Sequence, residues 1–96
     1  MAAGVTVLKL YGELDMAMAP IVRPRFVDLD GDIELDCAGL TFIDAAGIDL
    51  LVEMHRICLA RGAKLTVVNA PRCVTRLLAV TQLDGVFDVR PRDATA

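Results

Sequence analysis

The sequence has no long apolar run, no dense basic cluster and no metal-binding spacing, and each absence excludes a class of protein. Hydrophobic residues make up 55% of the 96 positions, yet no apolar run approaches the about 18 residues that a membrane-spanning helix requires. The first residues also lack the basic start and apolar stretch of a signal peptide, so we expect a cytoplasmic protein. An apolar excess without a membrane span indicates that some apolar surface contacts a partner.

Basic residues are few and scattered along the chain. There are 10 of them against 13 acidic residues, which gives a net charge of −3. Nucleic-acid binding requires clustered lysine and arginine to neutralise phosphates, and the sequence offers no such cluster. We therefore expect no nucleic-acid partner.

The cysteines and the histidine do not form a metal pattern. Cys37, Cys58 and Cys73 are widely spaced with no C-x-x-C pair, and His55 is the only histidine. A zinc site usually needs about four closely spaced ligands, so no metal site is expected. We predict free thiols packed as small hydrophobic groups, and a histidine at the surface or boundary of the core.

Other ligand-binding and catalytic patterns are missing as well. The acidic run of residues 28–32 has Gly39 where a calcium loop would carry its bidentate glutamate, so it predicts a solvated turn. The sequence has no glycine-rich phosphate loop and no arrangement of a histidine with a nucleophile. We expect a protein that is not an enzyme and that holds no cofactor.

Strand-like and helix-like segments alternate along the chain. Residues 5–10, 33–37, 64–68 and 86–89 predict strands, and residues 12–15 predict a turn or a short second strand. Residues 48–61 and a segment that begins near Pro71 predict amphipathic helices. Residues 16–27 predict only a short or irregular helix, because Pro24 follows Pro20 by four positions.

This alternation predicts a single α/β domain. Alternating elements favour a mainly parallel sheet, and the one-sided apolar stripes favour helices packed on one face of it. The domain would cover residues 1–96, with a core at about 5–89 and a tail at 90–96. Asp44 precedes the strongest helix as its predicted N-cap, with a carboxylate that accepts from the amide of Ala46 or Gly47.

Four segments, in their order and spacing, resemble the STAS domain, the family of bacterial anti-sigma factor antagonists. They are Gly12-Glu13-Leu14-Asp15, Ile33-Glu34-Leu35-Asp36, Leu40-Thr41-Phe42-Ile43-Asp44-Ala45-Ala46-Gly47 and Leu65-Thr66-Val67-Val68. The resemblance implies a small mixed, mainly parallel sheet with helices on one side. It also implies a regulatory protein that binds an anti-sigma factor with a histidine-kinase-like ATPase fold and so frees a sigma factor.

The resemblance also identifies a residue that is missing. In the family, the position before the loop glycine is commonly a serine or threonine that the partner kinase phosphorylates, and here it is Ala46. Its neighbour Ala45 also lacks a hydroxyl group. We therefore expect no phosphorylation at this loop. Thr41 is the nearest hydroxyl, and we expect it to serve as a loop or strand residue.

The predicted partner-binding residues come from the turn after the first strand and from the loop before the strongest helix. They are Glu13, Asp15, Thr41, Asp44, Ala45, Ala46 and Gly47. The alternative interpretation is structural: the same residue types serve as ordinary turn and cap residues, and Gly47 would let the helix approach the sheet closely. The alternative function is that of a STAS-like accessory subunit that binds an ATPase of a transport system. The sequence does not decide between them, or whether the chain forms a homodimer.

Overall fold

The computed structural model of the protein describes residues 4–86 and 88–91. Its elements are β1 (Val5–Leu14), α1 (Ala19–Val27), β2 (Asp32–Ile43), α2 (Ala45–Ala60), β3 (Leu65–Ala70), α3 (Arg72–Val80) and β4 (Asp88–Pro91). The strands form one sheet in the order β1-β2-β3-β4, with parallel pairing between each pair of neighbours. The predicted α/β fold with a mainly parallel sheet is confirmed.

The core lies between one face of the sheet and the helices. Crossovers between neighbouring parallel strands are right-handed, so helices that connect strands in this consecutive order lie on the same face. In β2, Ile33, Leu35 and Cys37 are buried whereas Glu34 and Asp36 are only partly buried, as the alternation predicts. The helices contribute Phe26, Leu51, Met54, Cys58, Val74 and Leu78.

Two strands extend further than the sequence predicts. β1 continues past its predicted end at residue 10 to Leu14, through part of the segment predicted as a turn or a short second strand, and β2 continues past its predicted end at residue 37 to Ile43. The strands stay paired because the register shifts twice, between Lys9 and Tyr11 and between Gly12 and Glu13. Such irregularities bend a strand without ending it. Because the two strands are parallel and Leu14 pairs with Ile43, their carboxyl ends lie together at one edge of the sheet.

The remaining elements follow the predictions with shifted boundaries. α1 is a short helix with Pro24 inside it, and α2 begins at Ala45, three residues before the predicted start. The last strand includes Arg90 and Pro91, and the rest of the predicted tail lies outside the described residues. No helix in residues 4–86 and 88–91 is long and apolar enough to cross a membrane.

All three cysteines are free. Cys37 and Cys58 are buried as predicted, and Cys73 is partly buried. His55 is also partly buried, in α2, which agrees with the predicted boundary position.

Candidate functional site

The predicted site lies where β1 and β2 end and where α1 and α2 begin. In open parallel sheets this carboxyl edge is the usual place for binding sites. Asp15 follows β1 and Asp44 follows β2. The two strand ends are joined directly, because the Asp44 amide donates to the carbonyl oxygen of Leu14 at 3.3 Å.

Asp44 is the N-cap of α2, as predicted. Its Oδ1 accepts from the amide of Gly47 at 3.1 Å, three residues into the helix. Its Oδ2 accepts from the amide of Met16 at 3.3 Å, in the segment that leads into α1. One carboxylate therefore fixes the start of α2 relative to the start of α1.

Asp15 orders the turn before α1. Its Oδ1 accepts from the amides of Ala17 and Met18 at 3.0 and 2.9 Å. Its main-chain carbonyl accepts from Met18 and from Ala19. Asp44 thus caps α2 and Asp15 holds the turn before α1, and both side chains remain partly exposed at the edge of the sheet.

Thr41 and Glu13 lie on the last residues of the two strands. Thr41 is an exposed residue of β2, and its hydroxyl donates to the carbonyl oxygen of Gly12 at 3.0 Å. The prediction that Thr41 is a strand or loop residue is therefore confirmed. Glu13 is exposed on β1, where it pairs with Phe42 of β2. Both side chains are accessible beside the junctions that Asp15 and Asp44 form.

Gly47 lies inside the junction between β1 and α2. It is buried, and a Cβ atom there would lie 2.4 Å from the carbonyl oxygen of Leu14 and 2.6 Å from Cγ1 of Ile43. Real Cβ atoms do not approach other atoms so closely. Gly47 therefore lets α2 begin against the end of β1, and a partner cannot reach it.

The two alanines differ in their surroundings. Ala45 is exposed, whereas Ala46 is partly buried and lines a groove between α1 and α2. The groove has a volume of about 380 Å³, and its other apolar walls include Met16, Pro20 and Leu50. Ala46, the predicted site residue that lacks a hydroxyl, thus also lines this groove.

The sequence did not reveal this groove, because it forms between distant segments. Arg23 of α1 reaches Glu53 of α2, 30 residues away, with 2.6 Å between Nε and Oε2. This hydrogen bond and the charge of Glu53 raise the pKa of the Arg23 guanidinium. The one available signal was the spacing of Pro20 and Pro24, which places both rings on the same face of a helix.

The site is suited to protein contact and lacks a phosphate acceptor in the first turn of α2. Residues 42–47 contain no serine, threonine or tyrosine, and the whole chain contains no serine. An exposed methionine lies at the groove, since Met16 is 76% exposed. Aspartate carboxylates held by amides and small apolar side chains form a surface that can bind another protein.

A family model described as "Mlab, STAS domain" matches residues 1–91 of the chain. No curated protein matches the chain.

Solved structures with the same fold include regulatory proteins and transporter domains. A Thermotoga maritima protein, provisionally described as an anti-sigma factor antagonist, is 21% identical with a TM-score of 0.82, over 90% of this chain and 78% of that one. The anti-sigma factor antagonist SpoIIAA in its unphosphorylated form is 17% identical with a TM-score of 0.71, and the match covers 95% of this chain and 82% of SpoIIAA. The STAS domain of a Vibrio cholerae SulP transporter is 25% identical with a TM-score of 0.66, and the match covers 91% of this chain and 73% of that domain. The first two likenesses, at these identities, show the fold alone.

Proposed function

Because the chain belongs to the STAS domain family, we propose that it is an anti-sigma factor antagonist of the cytoplasm. It binds an anti-sigma factor and so regulates sigma-dependent transcription. The contact is made by a docking surface that consists of Glu13, Asp15, Thr41, Asp44, Ala45 and Ala46. The observation that carries this proposal is the exposed junction of β2 and α2, where Asp44 caps a helix that begins with two alanines.

Binding at this surface does not depend on phosphorylation of the loop. The free amides and the dipole of a helix N-terminus would favour a phosphate, and a phosphate would add nearly two negative charges to the contact surface. Ala46 has no hydroxyl to accept one. The partner, an anti-sigma factor with a histidine-kinase-like ATPase fold, therefore remains bound unless another signal releases it.

A charge at Ala46 tests the docking surface. We expect Ala46→Asp to weaken binding of the anti-sigma factor by about tenfold or more, because the added carboxylate would be desolvated against an apolar contact. Ala60→Asp is the matched control, since it adds the same charge at the exposed far end of α2. Titration calorimetry with the anti-sigma factor recovered from native lysate measures both. Equal affinities for the wild type and Ala46→Asp would count against this surface.

A phosphorylation assay tests the missing switch. After incubation with the kinase-type anti-sigma factor and ATP, we expect mass spectrometry to find no phosphate on residues 41–47. Ala46→Ser restores a hydroxyl at the start of α2 and should be phosphorylated there, which shows that the kinase is active. A phosphate on Thr41 of the wild-type protein would show that the covalent switch is retained at another residue.

A second candidate function is that of an accessory subunit bound to an ATPase of a transport system. The likeness to the STAS domain of a SulP transporter supports a role in transport, and the ATPase partner is part of this proposal. Affinity capture from native lysate, followed by mass spectrometry, distinguishes the two functions. Recovery of a kinase-type anti-sigma factor supports the first function, and recovery of a transport ATPase subunit supports the second.

A further inference from the structure

The groove between α1 and α2 remains open because small side chains line it. Ala19 of α1 and Ala46 of α2 both line this space of about 380 Å³. Pro20 and Pro24 form one wall, and their rings fix the backbone of that wall. The groove thus has rigid apolar walls with room for a side chain from outside the molecule.

The groove is also acidic. Asp49 is an exposed groove residue, and within residues 4–86 and 88–91 no lysine or arginine forms an ion pair with it. Glu53 is already held by Arg23. At the end of the groove near Met16, the Asp44 carboxylate adds further negative charge. An anionic ligand would be repelled here, whereas a cation beside an apolar group would be attracted.

We propose that this groove binds a segment of a protein partner that inserts an apolar side chain next to a lysine or arginine. The apolar side chain lies between Ala46 and the proline wall, and the basic group lies beside Asp49. Exposed methionines adapt to partner side chains, which suits Met16 at the groove to contact with a protein. The inference rests on the proposed function in one respect: the groove is continuous with the docking surface, because Ala46 belongs to both.

A random-peptide library displayed on phage and selected on the immobilised full chain tests the groove. We expect the enriched peptides to share an apolar residue adjacent to a lysine or arginine. Ala46→Leu fills the groove, so selection on this variant should lose that motif. Enrichment of acidic peptides, the absence of any motif on the wild type, or retention of the motif on folded Ala46→Leu would overturn the proposal.

A charge reversal gives a second, independent measurement. With one enriched peptide, we expect Asp49→Lys to weaken binding by about fivefold, the upper end for an exposed ion pair, because the reversal also adds repulsion. A peptide with glutamate in place of its basic residue should then prefer Asp49→Lys to the wild type. Asp84→Lys is the control, because it changes the same charge in the exposed turn after α3. Equal affinity of the peptide for the wild type and Asp49→Lys would contradict the predicted contact.

The peptide experiments separate this proposal from the proposed function. They contain no anti-sigma factor, so the groove motif can be found even if that factor does not bind the chain. Conversely, Ala46→Asp can abolish binding of the anti-sigma factor while the selection shows no groove motif, and the groove proposal alone would then be overturned.

Discussion

At Gly47 a single missing side chain determines how closely α2 approaches the sheet. A Cβ atom at this position would collide with the main-chain carbonyl of Leu14, which also accepts the hydrogen bond from Asp44. The collision is with backbone, so rotation of a side chain cannot relieve it. The first turn of α2 would have to move away from β1, and the docking surface would change shape.

We predict that Gly47→Ala lowers the free energy of unfolding. Alanine favours a helix over glycine by about 1 kcal/mol, but overpacking costs roughly 1–3 kcal/mol and additionally strains the bond between Asp44 and Leu14. The net loss should be about 1–2 kcal/mol in urea denaturation. Gly85→Ala is the control, because a Cβ atom there has no neighbour within 4 Å. A Gly47→Ala protein more stable than the wild type would contradict the close contact.

Helix α1 contains two prolines, and their positions differ in how much a proline is expected to destabilise the helix. Pro20 lies in the first turn of α1, where its missing N–H needs no partner. Pro24 lies inside the helix, where proline removes a hydrogen bond to the carbonyl four residues earlier. The two prolines also form one wall of the groove, so a local cost at Pro24 accompanies a rigid surface.

The two prolines give a matched pair of variants for α1. We expect Pro24→Ala to raise the free energy of unfolding by roughly 1 kcal/mol, because the restored hydrogen bond exceeds the added entropy of the unfolded chain. Pro20→Ala should leave the free energy unchanged or lower it by up to about 1 kcal/mol. Urea denaturation of both variants gives the comparison. Destabilisation by Pro24→Ala would mean that the proline is accommodated without cost.

The elements show which features the sequence could predict. Alternation in β2 and the N-cap at Asp44 were predicted correctly, because both depend on neighbours within a few positions. The end of β2 was not predicted correctly. Ala38 and Gly39 interrupt the alternation of buried and exposed residues, but the pairing with β1 continues past them in a shifted register. The groove depends on the pairing of Arg23 with Glu53 across 30 residues, which no local pattern encodes.

At the scale of the whole molecule, one hydrophobic core connects the strands and the helices. The buried cluster includes Leu10 of β1, Phe26 of α1 and Leu78 of α3, together with residues of α2 and β3. A small domain with a single core is expected to unfold as one cooperative unit. The docking surface is held by the hydrogen bonds of Asp15 and Asp44 at the first two strand-to-helix junctions, so its shape depends on this core remaining intact.

The reactivity of the three cysteine thiols can measure whether the domain unfolds as one unit. Cys37 in β2 and Cys58 in α2 have no exposed surface, whereas Cys73 in α3 is partly exposed. Burial, the charge of Asp36 and the nearby Cys73 raise the pKa of the Cys37 thiol to about 12. Because the thiolate is the reactive form, Cys37 is protected in the folded state both by burial and by protonation.

We predict that a thiol reagent at pH 8 modifies Cys73 first and reaches Cys37 and Cys58 only through global unfolding. The pKa of Cys37 is higher in the folded state, so its contribution to stability is complete below the unfolded value, about 8.5, and is lost as the pH rises toward 12. If both thiols react only after global unfolding, the opening free energies obtained from labelling Cys37 and Cys58 should be equal. Both should also equal the free energy of unfolding measured in urea. Cys73→Ala simplifies the assay by removing the fast-reacting site. Labelling of Cys58 well before Cys37 would show that α2 separates from the sheet before the core unfolds, and the docking surface would then open with it.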